Sequence, residues 1–266
     1  MTSASVDIPP RDFVTSLCKE AGRIAVERWG TPLQVTRKGE VDLVTDVDLE
    51  LEELIEKGIT RRFPEHIVLG EEGKQEERPQ EAEYLWLVDP LDGTTNYVHG
   101  HPCFCVSLAM AHRGEVLLGC VYDPLRNELF YSTRGDGATL NGAQIRVSST
   151  DSLISSLLCT GFPYERASLT DSNVIHLGKL INRIQGVRRG GSLALDLAYV
   201  AAGRLDGHWE FHVKPWDTAA GGLLVEEAGG RISGVEEERW SPFDSDVVAT
   251  NGEIHEALLA VLRQNG

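Results

Sequence analysis

Apolar residues recur at helical spacing from the first stretch of the chain. In "RDFVTSLCKEAGRIAVERW" (11–29), Phe13, Val14, Leu17, Ala21, Ile24 and Ala25 share one face, which predicts an amphipathic helix. A second helix is predicted from about Asp46 to Arg62, with Leu51, Leu54, Ile55 and Ile59 inward and Gly58 as its one weak position. "HIVLG" (66–70) and "YLWLV" (84–88) read as strands, separated by the polar "KQEERPQEAE". From 103 to 147 short apolar runs are split by Arg113-Gly114, Asp123-Pro124, Gly135-Asp136-Gly137 and Asn141-Gly142, the pattern of antiparallel hairpins. After "SLLCTGFP" (156–163), helices are predicted near 170–184, 192–203, 217–228 and 253–263, with short strands between them. No internal repeat or low-complexity linker interrupts this order. The pattern fits an α/β or α+β protein, either one unit over 1–266 or one with a soft sub-domain boundary near 150.

Composition narrows the class. Of 266 residues, 41% are hydrophobic and 25% charged, enough apolar material for a sizeable core. No run approaches the roughly 18 to 20 apolar residues that span a bilayer. "MTSASVDIPPRDF" has neither the basic region nor the apolar run of a secretory signal, so a cytoplasmic location is expected. Cys18, Cys103, Cys105, Cys120 and Cys159 are odd in number and lack the spacing of a secreted disulfide scaffold, so reduced thiols are expected. The net charge of −16, from 41 acidic and 25 basic residues, sets a surface against nucleic acid and anionic membrane. It would equally repel a phosphorylated metabolite unless cations were recruited locally.

The acidic residues themselves show where that recruitment would occur. In "WLVDPLDGTTN" (86–96) a buried-strand pattern runs into Asp89 and Asp92. Asp-Pro and Asp-Gly are turn formers, and alone they would mark only a strand end. Three other stretches repeat the arrangement. "GEEG" (70–73) ends another strand and brings Glu71, "PWDTAAGG" (215–222) places Asp217 at the N-cap of a helix, and "DLVTDVD" (42–48) puts Asp48 in a first helical turn. Acids delivered to the C-terminal rim of a sheet sit where α/β sites usually lie. Glu71, Asp89, Asp92 and Asp217 form an all-oxygen donor set without His or Cys, which suits Mg²⁺, and a cation would offset their mutual repulsion. Gly93 lets backbone approach a ligand, and Thr94-Thr95 would open a short helix whose free N–H groups face an anion. The Thr94 hydroxyl can orient a water molecule held by the metal.

"WLVDPLDGTTNYVHG", with "DLVTDVD" and "GEEG" upstream and "PWDTAAGG" downstream, resembles the inositol monophosphatase family from about residue 10 to the C-terminus. The resemblance implies a layered αβαβα sandwich related to fructose-1,6-bisphosphatase and a Mg²⁺-dependent phosphatase with two or three ions per site. It implies Glu71, Asp89, Asp92, Asp217 and the Leu91 carbonyl as metal ligands, and lithium sensitivity. Asp48, Glu71 and Thr94 match the catalytic set in which Asp48 and Thr94 position and deprotonate the attacking water. Substrate contacts are expected from Leu91, Asp92, Gly93, Thr94, Thr95, Gly191, Ser192, Leu193, Glu210 and Asp217. Of these, Glu210 would accept hydrogen bonds from polyol hydroxyls. Ser192 stands where some relatives carry threonine.

Arg188 is expected to face the bound phosphorylated polyol, although Arg188 and Arg189 could equally be surface charges. With Lys214, these cations keep a bisphosphate substrate open. Inositol 1-phosphate leads; histidinol phosphate, fructose 1,6-bisphosphate, a sugar 1-phosphate and adenosine bisphosphate are alternatives. A small phosphorylated polyol and a second copy of the chain are the expected partners. A non-catalytic regulatory protein on the same scaffold would predict broken metal motifs, whereas these are intact. "HGHPCFC" (99–105) has a zinc-like composition, but residues alternating along one strand form a line rather than a tetrahedron. "DVDLELEE" (46–53) lacks the sixth-position glycine of a Ca²⁺ loop.

Overall fold

The first two helices form as the periodicity predicts: α1 spans Arg11–Arg28, and α2, Asp46–Arg62, follows a hairpin of β1 (Val35–Arg37) and β2 (Leu43–Thr45). The computed structural model describes residues 6–39, 41–73, 79–164, 169, 173–236 and 239–264. The α2 start is sharp because the Thr45 hydroxyl accepts from Val47 and Asp48 N–H while Asp48 reaches back to the Thr45 N–H, a reciprocal capping box. Gly58 lies where α2 crosses α1; a Cβ there would stand 2.9 Å from Leu17 Cδ1. The predicted weak position is therefore a packing contact.

β3 (Ile67–Gly70) pairs in parallel with β4 (Tyr84–Asp92), which extends four residues beyond the predicted "YLWLV". The helix α3 (Thr94–Val98) follows at once. The hairpin region then supplies β5 (Cys105–His112), β6 (Glu115–Asp123), β7 (Glu128–Thr133), β8 (Ala138–Leu140) and β9 (Ala143–Gln144), all antiparallel. Together β3 to β9 make a seven-stranded sheet in sequence order. Of the polar stretch between β3 and β4, residues 74–78 lie outside the described residues.

After β9 the chain builds a second sheet. Its elements are β10 (Leu157–Thr160), α4 (Asn173–Leu180), β11 (Gly186–Arg188), α5 (Leu193–Ala201), β12 (Gly207–Phe211), α6 (Pro215–Glu227), β13 (Arg231–Ser233), β14 (Asp246–Thr250) and α7 (His255–Leu262). The sheet order is β11-β10-β12-β14-β13. The helix predicted near 170–184 ends early, at Leu180, and 170–172 lie outside the described residues. The start of α6 also differs from expectation. Pro215 takes the first helical position, where a missing N–H costs nothing, so Lys214 is the N-cap and Asp217 falls three residues inside.

Three cores fix the stacking. Trp86 and Val88 of β4 join α1 and α2 on one face of the large sheet, while Leu85 and Leu87 point the opposite way into α5 and α6. The other side of the α5–α6 layer meets Cys159, Val247 and Ala249 of the second sheet. That sheet's far face carries Leu158, Trp209 and Val248, covered by Leu180 of α4 and Leu258, Leu259 and Leu262 of α7. The result is the expected αβαβα order. The small residues of α6 serve this stacking: a Cβ at Gly221 would fall within 2.5 Å of Leu197 Cβ on α5. Among the described residues no helix is long and apolar enough to cross a membrane. All five cysteines are free thiols.

Candidate active site

Because β3 and β4 run parallel with Gly70 opposite Val88, both deliver their next residues to one rim of the large sheet. Glu71 and Asp89 are thereby neighbours. Asp89 still pairs with Ser107 of β5, but the ladder slips before resuming at Asp92 opposite Cys105. Pro90 has no N–H to continue the ladder, and a bulge re-aims the residues after it. Without the slip, residues three apart on a strand would face opposite sides of the sheet. With it, Asp89 and Asp92 line the same cavity, along with Glu71, Gly93, Thr94, Gly191, Ser192, Leu193, Glu210 and Asp217. This is what "DPLD" achieves: two carboxylates at one rim, aimed one way.

The side chains are held individually. Asp89 Oδ1 accepts from the Leu91 N–H at 3.0 Å. Asp92 Oδ2 accepts from the Ser192 hydroxyl and the Ala194 N–H, each at 2.8 Å, so the start of α5 fixes an acid on β4. Asp217 Oδ2 accepts from the Lys214 N–H at 3.2 Å, in place of the predicted N-cap role. Thr94 Oγ1 donates to Asp48 Oδ1 at 2.8 Å and lies 3.1 Å from the Leu91 carbonyl oxygen. Asp48 does not itself line the cavity; it stands buried behind Thr94, its other oxygen held by Thr45. Gly93 takes φ +106°, and a Cβ there would meet the Cys103 carbonyl at 2.9 Å.

Some expected contacts fall elsewhere. Leu91 puts its side chain in the core rather than on the cavity wall, leaving only its carbonyl as a candidate donor. Thr95 lines an adjoining hollow with Val41, Phe162, Tyr164 and Arg189. Arg188 is exposed, with Nη1 on the Val187 carbonyl, and Arg189 lines the cavity in its place. Successive residues of an extended segment face opposite sides, so only one of the pair can do so. Ser192 lines the cavity, but its hydroxyl proton goes to Asp92. "HGHPCFC" is not a strand: His99 and His101 are exposed in the turn after α3, and β5 begins only at Cys105, which is buried.

Three contributors carried no local signal in the sequence. Lys38, beyond β1, bonds Glu71 Oε1 at 3.1 Å and also pairs with Glu72. Glu52 accepts the Glu72 N–H at 2.8 Å beneath a turn whose Gly70 has no Cβ where that carboxylate sits. Its position one turn after Asp48 on α2 was the only available hint. Asp196 of α5 is the third, also on the cavity wall.

Charge in the cavity is poorly compensated. Burial pushes Asp89 and Asp217 well above the usual carboxylate range, and their acidic neighbours push them further. Burial lifts Glu71 to about 7 despite Lys38, and Asp92 to about 6 despite its hydrogen bonds from Ser192 and α5. Among the described residues, no three of these acids bring oxygens within 4.8 Å of one another. That spacing does not suit a tetrahedral ion gripped by three or four side chains. It does suit Mg²⁺ ions that each take one or two carboxylates and complete an octahedron with water and substrate oxygens. The all-oxygen donors and unrelieved acid repulsion fit such ions.

A pH-dependent stability difference follows. These acids bind protons more tightly folded than unfolded, so their contribution favours the fold below about pH 4 and is lost as pH rises through about 6 to 7. The rise in Tm on replacing chelator with excess MgCl₂ is therefore expected to grow from about pH 5 to pH 8. Thermal unfolding across that range measures it; a pH-independent shift would contradict it.

The inositol monophosphatase family profile matches residues 10–266. The chain is 43% identical over 255 residues to the inositol-1-monophosphatase of Synechocystis sp., covering 94% of this chain and 88% of that one. It is 41% identical over 258 residues to Nus factor SuhB of Escherichia coli K12, covering 96% of each. Its fold is similar to that of an inositol monophosphatase from Anabaena (Nostoc) sp., with TM-score 0.86, 41% identity and coverage of 96% and 95%. A crystal structure of an IMPase/NADP phosphatase complexed with Mg²⁺ and phosphate is also similar, with TM-score 0.85, 26% identity and coverage of 96% and 95%.

Proposed function

Since this chain belongs to the inositol monophosphatase family of phosphatases, we propose that it hydrolyses the phosphate monoester of a small polyol, first among them inositol 1-phosphate, using Mg²⁺. The observation that carries this reading is one cavity with two chemically different walls. Glu71, Asp89 and Asp92 lie at the rim of the large sheet beside Asp217 of α6, and Glu210 comes from β12 of the other sheet. The first wall, with the Leu91 carbonyl, would hold two or three Mg²⁺ ions. Such ions supply Lewis acidity that activates the attacking water and neutralises charge on the departing oxygen. Mg²⁺ accompanies phosphate in the IMPase/NADP phosphatase structure.

The chain's own groups orient the reactants. Thr94 gives its proton to Asp48 Oδ1, which leaves its oxygen lone pairs to receive a proton from water in the cavity. Burial raises Asp48 above the ordinary carboxylate range and so improves it as the final proton acceptor. The water oxygen bonds to phosphorus as the ester P–O bond breaks; the polyol leaves with its oxygen, which takes up a proton from solvent, and Asp48 returns to solvent the proton it accepted. Glu210 accepts hydrogen bonds from polyol hydroxyls, while Arg189 and Lys214 offer cations at the wall to phosphate oxygens. Those two cations favour a bisphosphate as the alternative substrate. The proposal includes a homodimer acting in the cytoplasm.

Turnover of a panel of phosphate monoesters, with Mg²⁺ and with chelator, tests the reading. Glu210→Gln is expected to alter the ranking of inositol 1-phosphate against an aryl phosphate by roughly 1–3 kcal/mol, because one charged hydrogen bond is lost. Its Mg²⁺ requirement should persist. Equal loss on both substrates would contradict the role given to Glu210. The name of the Escherichia coli relative favours a second reading, a regulatory protein on the same scaffold. Absence of turnover on every monoester at saturating Mg²⁺ would support it.

A further inference from the structure

Behind Glu210 lies a buried group that the proposed reaction does not use. His208 and Glu210 are two residues apart on β12 and so face the same side of the sheet. The His208 ring is fully buried, with Nε2 3.3 Å from Glu210 Oε2. Among the described residues, no other basic side-chain nitrogen lies within 4.0 Å of that carboxylate. Nδ1 faces the other way, 3.3 Å from Cys159 Sγ on β10 and 4.0 Å from Asp196 Oδ2 on α5. Cys159 sits directly opposite His208 in the parallel β10–β12 ladder.

We propose that His208 is a positioning residue for Glu210, donating from Nε2 to the carboxylate and thereby setting the preference for substrates rich in hydroxyl groups. The inference rests on Glu210 being the acid that meets the polyol. Three observations support it. Cys159 is fully buried, which keeps it a thiol; when its S–H turns from the Gly207 carbonyl, 3.5 Å from Sγ, to Nδ1 at 3.3 Å, it is Nε2 that carries a ring proton toward Glu210. Among the described residues Nε2 is buried with no aligned hydrogen-bond partner, and Glu210 is the acceptor it faces. A small rotation of the carboxylate completes the bond, and an orphaned buried donor favours that rotation. Finally, a Cβ at Gly161 would overlap the Glu210 carboxylate, so the opposing segment leaves room for the acid in this place. The arrangement ties the acid to both β10 and α5 through one ring.

Cys159, Asp196 and His208 also bring ligand atoms within 4.8 Å of one another. The group could be read as a buried metal site, but the three share only the Nδ1 side of the ring. The Nε2 side is turned to the substrate wall.

The test compares His208→Phe, which keeps an aromatic ring and removes both nitrogens, with His208→Gln, whose amide can place an N–H near the Nε2 position. Each is measured on inositol 1-phosphate and phenyl phosphate, alone and combined with Glu210→Gln. His208→Phe is expected to lower the polyol-to-aryl ratio of kcat/KM about tenfold, mostly through the polyol KM. His208→Gln should recover the ratio to within about threefold of wild type, and His208→Phe should add little once Glu210 is already Gln. If Glu210→Gln shifts the ratio but His208→Phe does not, the proposal falls and the role of Glu210 stands. If Glu210→Gln leaves the ratio unchanged, the reading of Glu210 fails and this inference with it. Equal losses on both substrates in both His208 variants would reduce the ring to packing. Stoichiometric zinc in the purified protein, lost in Cys159→Ser, would make the cluster a metal site and overturn the positioning role.

Discussion

Asp89→Asn is expected to lower kcat about 10³-fold or more on every phosphate monoester while making the metal-free protein more resistant to heat. Asp89 is 2% exposed, and its charge is opposed first by burial and then by Glu71, Asp92 and Asp217. An amide of the same shape can still accept the Leu91 N–H through its oxygen, so the bulge at Pro90 should survive. What disappears is a charge at the centre of the proposed Mg²⁺ wall. Removing it relieves repulsion when no cation is bound and removes attraction when one is. Thermal unfolding in chelator should show a higher Tm than wild type, and added MgCl₂ should produce a smaller shift. Retention of more than about a tenth of the wild-type rate would sink the role given to Asp89, since tenfold is only about 1.4 kcal/mol of barrier. A lower Tm in chelator would show that Asp89 stabilises the fold for some reason other than holding a cation.

Thr94→Val should separate chemistry from binding. Valine has nearly the volume of threonine but no oxygen, so it removes the hydroxyl that bonds Asp48 Oδ1 from the cavity side. Asp48 keeps its two bonds from Thr45, and α2 keeps its capping box. The expected stability cost is therefore about 1–2 kcal/mol, the cost of leaving one buried carboxylate oxygen without its donor. The expected loss in kcat is on the order of 10²-fold, because the path from the attacking water to Asp48 is broken. KM for inositol 1-phosphate and the Mg²⁺-induced rise in Tm should change little. Steady-state kinetics and unfolding curves on one preparation decide the matter. A variant with wild-type kcat would exclude Thr94 from proton transfer, and a lost Mg²⁺ response would place it among the groups that hold cations.

The sequence by itself determined those features whose physical cause lies within a few residues. Helical spacing in 11–29 and 46–62 marks α1 and α2 because burying one stripe requires that period. Asn141-Gly142 marks a hairpin because both residues adopt positive φ there. The same locality exposed the acids after β3 and β4, since a strand pattern ending in carboxylates is visible without knowing what lies opposite. The layered order followed from a family resemblance carried by four motifs, and the cores show its physical basis in strand alternation. Only the tertiary structure decided where each side chain is aimed. Asp92 is fixed by Ser192 and Ala194, one hundred and more residues away. Lys38 reaches Glu71 across a hairpin, Glu52 supports the next turn from inside α2, and Arg189 rather than Arg188 lines the cavity. His208 meets Cys159 because two parallel strands share a register. Such contacts depend on strand slip, helix start and layer spacing to within a fraction of a residue. A pattern of apolar and polar positions fixes the period and face of an element, but not its axial offset against a distant partner.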